Sequence, residues 1–307
     1  MRTGFMHIPD GFLSTPVWAA LDATSVVGVA WLSRGASRTL EESRIPLLGV
    51  MGAFVFAAQM INFPVGVGTS GHLLGCGLLT FTLGPAAAAV VMTAILAIQA
   101  LVFQDGGLLA LGANVFNMAI AGVAAAWLPW RYLGAGRFRR LAVFAGAALP
   151  VLVAAALVLA QLRLSGVPLP GPILGVSLVL FLASALVEGA ITVAVVTALE
   201  KMHPRWVQAP RHGSALPALA VTALVLAGVV AIFASPLPDG LEKLAEQVGI
   251  ADRAQSLLNA PLPDYEFHGV DSDWLRRSAP GLAGVVLTAC VAFLLGRILV
   301  RQRQGGA

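Results

Sequence analysis

Residues 173–199 read ILGVSLVLFLASALVEGAITVAVVTAL, 27 residues with a single charged side chain, Glu188. A helix needs about 20 apolar residues to cross the hydrocarbon of a bilayer, and this run exceeds that. A helix apolar on every side has no place at the surface of a water-soluble domain. Working outward, comparable runs occur at 15–33, 45–63, 84–104, 109–130, 141–163, 215–234 and 279–300, with a shorter one at 71–83. The 307 residues are 58% hydrophobic and 11% charged, and the mean hydropathy is +0.86, far outside soluble usage. The pattern predicts an all-α multi-pass membrane protein with about nine transmembrane helices. The first 14 residues are mixed and hold Pro9, Asp10 and Gly11, so no cleavable signal is expected. Cys76 and Cys290 both lie in apolar runs, the ordinary setting of a buried thiol rather than of a disulfide framework.

The charges predict an orientation. With the N-terminus outside and the runs alternating, 13 of the 19 basic residues fall in inner loops, among them Arg34, Arg38, Arg131, Arg139, Lys201 and Arg301. Four of the six outer ones share one long loop, where the positive-inside rule is weak. The expected topology is N-out and C-in. The net charge of +4 is then a record of topology rather than of nucleic-acid binding. The outer segment 235–278 carries 8 of the 15 acidic residues, which is compatible with a solvated surface and with a device for concentrating cations. Within it, 235–240 reads as a turn, 241–248 as a short amphipathic helix and 260–265 as extended chain.

That topology gathers the chemically capable residues on the outer side. Near the N-terminus stands Met6-His7-Ile8-Pro9-Asp10-Gly11. If Met6 begins the chain, its amine, the main-chain nitrogen of His7 and an imidazole nitrogen of His7 close a five-membered and a six-membered ring on one divalent ion. A planar nitrogen set suits Ni²⁺, with Co²⁺ and Cu²⁺ as competitors, and suits Mg²⁺ or Ca²⁺ badly. Met1 to Phe5 precede Met6 in the sequence and convert that amine to an amide, so the expectation is translation from Met6. His72 follows in Gly68-Thr69-Ser70-Gly71-His72-Leu73-Leu74-Gly75, where Thr69 or Ser70 is placed to cap the next span. Of the other histidines, His203 and His212 lie in an inner loop and His268 in the outer one.

Polar side chains inside spans invite a functional reading. Asn114 and Asn117 are three apart on one helix, and with Gln59 and Asn62 they compose a possible hydrogen-bonding shell around an ion held by His7 and His72. Interhelical hydrogen bonding between spans explains the same amides without any ion. A thiolate from Cys76, four residues after His72, is a further conceivable ligand. The chain has no Gly-x-x-x-x-Gly-Lys-Ser/Thr loop, no His-Glu-x-x-His and no Gly-x-Ser-x-Gly, which argues against nucleotide hydrolysis by this chain and against protease or hydrolase chemistry.

The stretches 6–13, 68–75 and 112–117 resemble signature segments of the CbiM/NikM family, the substrate-capture components of nickel and cobalt energy-coupling factor transporters. Pro238-Asp239-Gly240-Leu241-Glu242, with Pro261-Leu262-Pro263-Asp264-Tyr265 downstream, is similar to the PDGLE domain, an accessory module fused behind that component or made as a separate small subunit. The resemblance implies a seven-helix capture core at 1–205 and a two-helix accessory module at 206–307. It implies Met6, His7 and His72 as metal ligands, no catalytic residues, and Ni²⁺ or Co²⁺ as transported substrate. It also implies two cytoplasmic ATP-binding subunits and a transmembrane coupling protein as partners, in a bacterial or archaeal plasma membrane. The alternatives are a metal-proton secondary transporter or channel, and a metal-dependent membrane enzyme or sensor.

Overall fold

The computed structural model describes residues 7–66, 68–202, 215–229, 235, 237–267 and 272–305. Met6, His203, His212 and His268 lie outside the described residues. Ten helices follow in chain order: α1 Thr15–Thr39, α2 Ile45–Gln59, α3 Cys76–Leu83, α4 Pro85–Val102, α5 Leu111–Leu133, α6 Arg139–Leu164, α7 Gly171–Met202, α8 Ala215–Gly228, α9 Gly240–Val248 and α10 Asp273–Gly305. Six of them, α1, α4, α5, α6, α7 and α10, are long and apolar enough to cross a membrane. The runs at 45–63 and 71–83 give shorter helices, as does the described part of 215–234.

The run at 71–83 is short for a physical reason. Its first residue, Gly71, ends a hairpin and the next four are loop, and the helix that follows is stopped by Gly84 at φ +81° and restarted by Pro85 at the first position of α4, where a proline costs no hydrogen bond. The hairpin pairs β1 Phe63–Gly66 with β2 Thr69–Gly71, Phe63 opposite Gly71 and Pro64 opposite Ser70. Neither Thr69 nor Ser70 caps α3. The helix begins at Cys76 after Gly75, whose φ of +74° is one that glycine adopts without penalty.

Helix α2 lies at the centre, with 13 of its 15 residues buried. Helices α8 and α10 pack on it, and α3 and α4 close other sides. Close approach to α10 depends on small residues: a Cβ at Gly49 would stand 2.9 Å from the carbonyl oxygen of Ala289, and one at Gly52 3.3 Å from the Cβ of Ala292. Such stripes let helices approach closely in lipid, where the hydrophobic effect contributes nothing between them. The C-terminal helices and the preceding ones therefore share one interior. Helix α1 packs on α4 and α5 and leaves Val26, Val27 and Trp31 exposed, as a lipid-facing helix does. Helix α5 carries π-helical turns at Val115–Gly122, immediately after Asn114.

Candidate metal site

The N-terminal stretch enters the bundle from one end and is fastened there by side chains. Asp10 accepts from three successive main-chain N–H groups, Leu108 at 2.9 Å, Leu109 at 2.8 Å and Ala110 at 3.1 Å, in the turn that leads into α5. Asn114 takes both hydrogen bonds of Ile8: its Oδ1 accepts from the N–H and its Nδ2 donates to the carbonyl, each at 3.0 Å. Gly107 N donates to the same carbonyl at 2.9 Å. His7 is thereby buried to 3% exposure.

The hairpin carries His72 to meet it. The two imidazole centroids are 5.8 Å apart, and both rings line a cavity of about 90 Å³ together with Asn114, Asn117, Phe181, Ser184 and Asp239. Two imidazoles bound to one ion at about 2.1 Å place their centroids roughly 4.5–6.4 Å apart, depending on the angle at the ion, so the observed separation is compatible with sharing. His7 Nδ1 lies 3.2 Å from Asp105 Oδ1. Its Nε2 is buried without a hydrogen-bond partner among the described residues, an unusual condition for a polar atom in a protein interior. His72 Nδ1 lies 3.2 Å from the carbonyl oxygen of Leu73, and its Nε2 3.8 Å from Asp239 Oδ2. Among the described residues no three His, Cys, Asp or Glu side chains already stand close enough to hold an ion.

Of the four amides singled out from sequence, two reach the cavity. Asn114 supports the N-terminal stretch, whereas Asn117 pairs with Gln161 through two hydrogen bonds of 2.9 and 2.6 Å between α5 and α6. Gln59 and Asn62 do not line it. Gln59 donates to the Leu74 carbonyl at 2.8 Å and accepts from Gln99 at 3.0 Å, bracing the loop after His72 from behind. Asn62 accepts at its main-chain oxygen from Ser235 N at 2.8 Å. Cys76 turns its thiol to the Met118 carbonyl at 3.4 Å.

Four contributors, Glu188, Asp105, Tyr265 and Asp239, were not assigned site roles in sequence. Glu188, the lone carboxylate of its long span, accepts from Leu74 N at 2.8 Å and Gly75 N at 2.9 Å. It thus holds the backbone just beyond His72. Asp105 lies between His7 and Tyr265, whose hydroxyl donates to Asp105 Oδ2 at 2.8 Å. Tyr265 stacks on Phe103 with centroids 4.6 Å apart; the segment read as extended chain makes a tight turn there, with Asp264 and Tyr265 at positive φ. Asp239 is the N-cap of α9, accepting from Glu242 N at 2.7 Å. Burial is the main reason its carboxyl is pushed up to about 7, and burial followed by Asp105 pushes the Tyr265 phenol well above its ordinary value. The Asp-Gly-Gly turn after α4 and the Pro-Asp-Gly start of α9 are the sequence signals for Asp105 and Asp239. Nothing local marks Tyr265, which reaches Asp105 across 160 residues of chain.

A bundle of apolar helices, six of them long enough to cross a bilayer, with two imidazoles facing one cavity is the architecture of a multi-pass membrane protein. The chain belongs to the CbiM family: the description "cobalt uptake substrate-specific transmembrane region" matches residues 7–206, and the PDGLE domain matches 214–301. It is 30% identical to the fused nickel transport protein NikMN of Rhodobacter capsulatus, over 98% of this chain and 100% of that protein. A cobalt transport protein CbiM of Roseiflexus is 39% identical over 52% of this chain and 65% of its own length. The crystal structure of a truncated transition metal transporter superposes with a TM-score of 0.57 at 32% identity, covering 64% of this chain and all of that one. The chain is a metal transport component.

Proposed function

We propose that this chain is the substrate-capture subunit of an ATP-driven importer for Ni²⁺ or Co²⁺, with a capture core at 1–205 and an accessory module at 206–307. The observation that carries the reading is the pair of imidazoles, 5.8 Å apart, lining one cavity. In this reading the ion comes from outside an N-out, C-in protein in the plasma membrane. It sheds water and is held by the imidazoles of His7 and His72, with Met6 adding a nitrogen. Only Nδ1 of His7 closes a six-membered ring with its own main-chain nitrogen, and that atom faces Asp105. Chelation from the terminus therefore exchanges Asp105 for the ion at Nδ1. Asn114 fixes the approach of the terminus, while Gln59, Asn62 and Asn117 act at greater distance on the surrounding frame. Energy for release inward is supplied by two cytoplasmic ATP-binding subunits through a transmembrane coupling protein.

The test is uptake of radiolabelled Ni²⁺ and Co²⁺ in cells that also produce those partners. His7→Ala and His72→Ala each abolish uptake while the protein still inserts. Retention of high-affinity binding in either variant would overturn the assignment of that ligand. Uptake that persists after ATP depletion would point instead to secondary transport.

A further inference from the structure

Four carboxylates are buried around the two histidines, and three of them have both oxygens engaged. Asp10 is spent on the main chain of 108–110 and Glu188 on Leu74 and Gly75. Asp105 faces the His7 ring with one oxygen and accepts from Tyr265 with the other. Asp239 is arranged differently. Its Oδ1 caps α9, while its Oδ2 is turned toward His72 Nε2 at 3.8 Å, and the residue, 5% exposed, lines the same cavity as His7 and His72.

Building on the capture function above, we propose that Asp239 is an additional ligand of the captured ion, an oxygen donor supplied by the C-terminal module to a site whose nitrogen donors come from the N-terminal region. Two donor atoms on one ion at about 2.1 Å stand roughly 3–4 Å apart, the separation that Asp239 Oδ2 and His72 Nε2 already have. Charge argues the same way. A divalent ion held among largely buried groups is stabilised by compensating negative charge, and Asp239 offers a carboxylate oxygen there that does not have to abandon a main-chain partner. His72 is oriented for it, because Nδ1 is occupied at the Leu73 carbonyl and Nε2 is the nitrogen toward Asp239. A mixed nitrogen and oxygen set suits Ni²⁺ and Co²⁺. The ligand also has a fixed position: the segment just before it is tied to the hairpin by Ser70 N to the Pro238 carbonyl at 2.8 Å and Ser70 Oγ to the Leu237 carbonyl at 2.7 Å.

Asp239→Asn separates ligation from capping, since asparagine caps a helix as well as aspartate does; Asp239→Ser is the second variant with a capping side chain too short to reach the ion. The full-length chain, purified, is titrated with Co²⁺, reading affinity by chelator competition and coordination by the visible ligand-field bands. Both variants are expected to lose at least tenfold in Co²⁺ affinity and to shift the bands, with the thermal midpoint of the metal-free protein unchanged. Affinity and bands identical to those of the unsubstituted chain in either folded variant would overturn the proposal. If the unsubstituted chain binds no Co²⁺, the capture reading falls as well. If it binds, His72→Ala abolishes binding and Asp239→Asn changes nothing, only the Asp239 assignment falls.

Discussion

The two histidines reach the same cavity on supports of different kinds. The stretch around His7 is fastened mainly to one segment, residues 107–114, by Asp10, by Asn114 and by Gly107, with a further tie where the Asp10 carbonyl accepts from Gln255 N at 2.9 Å. The hairpin that carries His72 is held from several directions. Glu188 on α7 and Gln59 on α2 grip its exit, and the segment leading into α9 grips its strands at Ser70 and its base at Asn62. One ligand is bolted largely to a single segment, and the other is suspended between α2, α7 and the segment leading into α9. Displacements of α7 are thus transmitted to His72 more directly than to His7, whereas those of the C-terminal module reach both, since Ile8 and Phe12 pack with Leu241 and Leu244.

Asp10→Ala should give the largest effect on this contrast. It orphans three buried or half-buried N–H groups, each costing about 1–3 kcal/mol, so a loss of about 4 kcal/mol is expected in denaturant unfolding, together with loss of metal binding. If the N-terminal stretch stays ordered in that variant, the local fastening is not what fixes His7. Glu188→Gln comes next. An amide oxygen satisfies only one of the two N–H groups at Leu74 and Gly75, so about 2 kcal/mol is lost, and hydrogen exchange should accelerate at 72–76 while 7–13 keeps its protection. Acceleration in both segments would erase the distinction between the two supports. Ser70→Ala is the mildest: it removes one bond to the Leu237 carbonyl, worth about 1 kcal/mol, and should weaken Ni²⁺ binding a few-fold in competition titrations. Asn117→Ala sharpens the comparison from outside, since its partner is Gln161. It is expected to lower the thermal midpoint while leaving Ni²⁺ affinity within twofold.

Intact mass and metal content of the purified protein address the N-terminal donor. A chain beginning at Met6 with one bound ion supports the terminal amine as ligand. A chain beginning at Met1 with the ion bound makes that amine dispensable.

The long spans were legible because hydrophobic length alone decides whether a helix can cross a bilayer. The shorter helices were less so. Gly84-Pro85 separates the runs at 71–83 and 84–104 in sequence as it separates α3 from α4, but the hairpin and the loop after it occupy 71–75 and shorten α3 to eight residues. His7, His72 and Asn114 were legible because polar residues beside glycine turns stand out in such a chain. Asn117 stood out equally and faces Gln161, because its neighbours on α6 are set by tertiary packing that a three-residue spacing does not encode. Asp105 and Tyr265 illustrate the remainder. Their hydrogen bond joins the end of α4 to a turn before α10, and its partner choice is a property of the assembled bundle.

The near-complete enclosure of α2 bears on how the protein is made. Its Gly49 and Gly52 face is covered by Ala289 and Ala292, in a helix made long after α2. Until α10 has been made, that face lies without its packing partner. Carrying the partner on the same polypeptide guarantees that one copy arrives for every α2 and makes the encounter intramolecular. The fusion thus fixes by covalent connection a stoichiometry that two separate chains would have to reach by balanced expression.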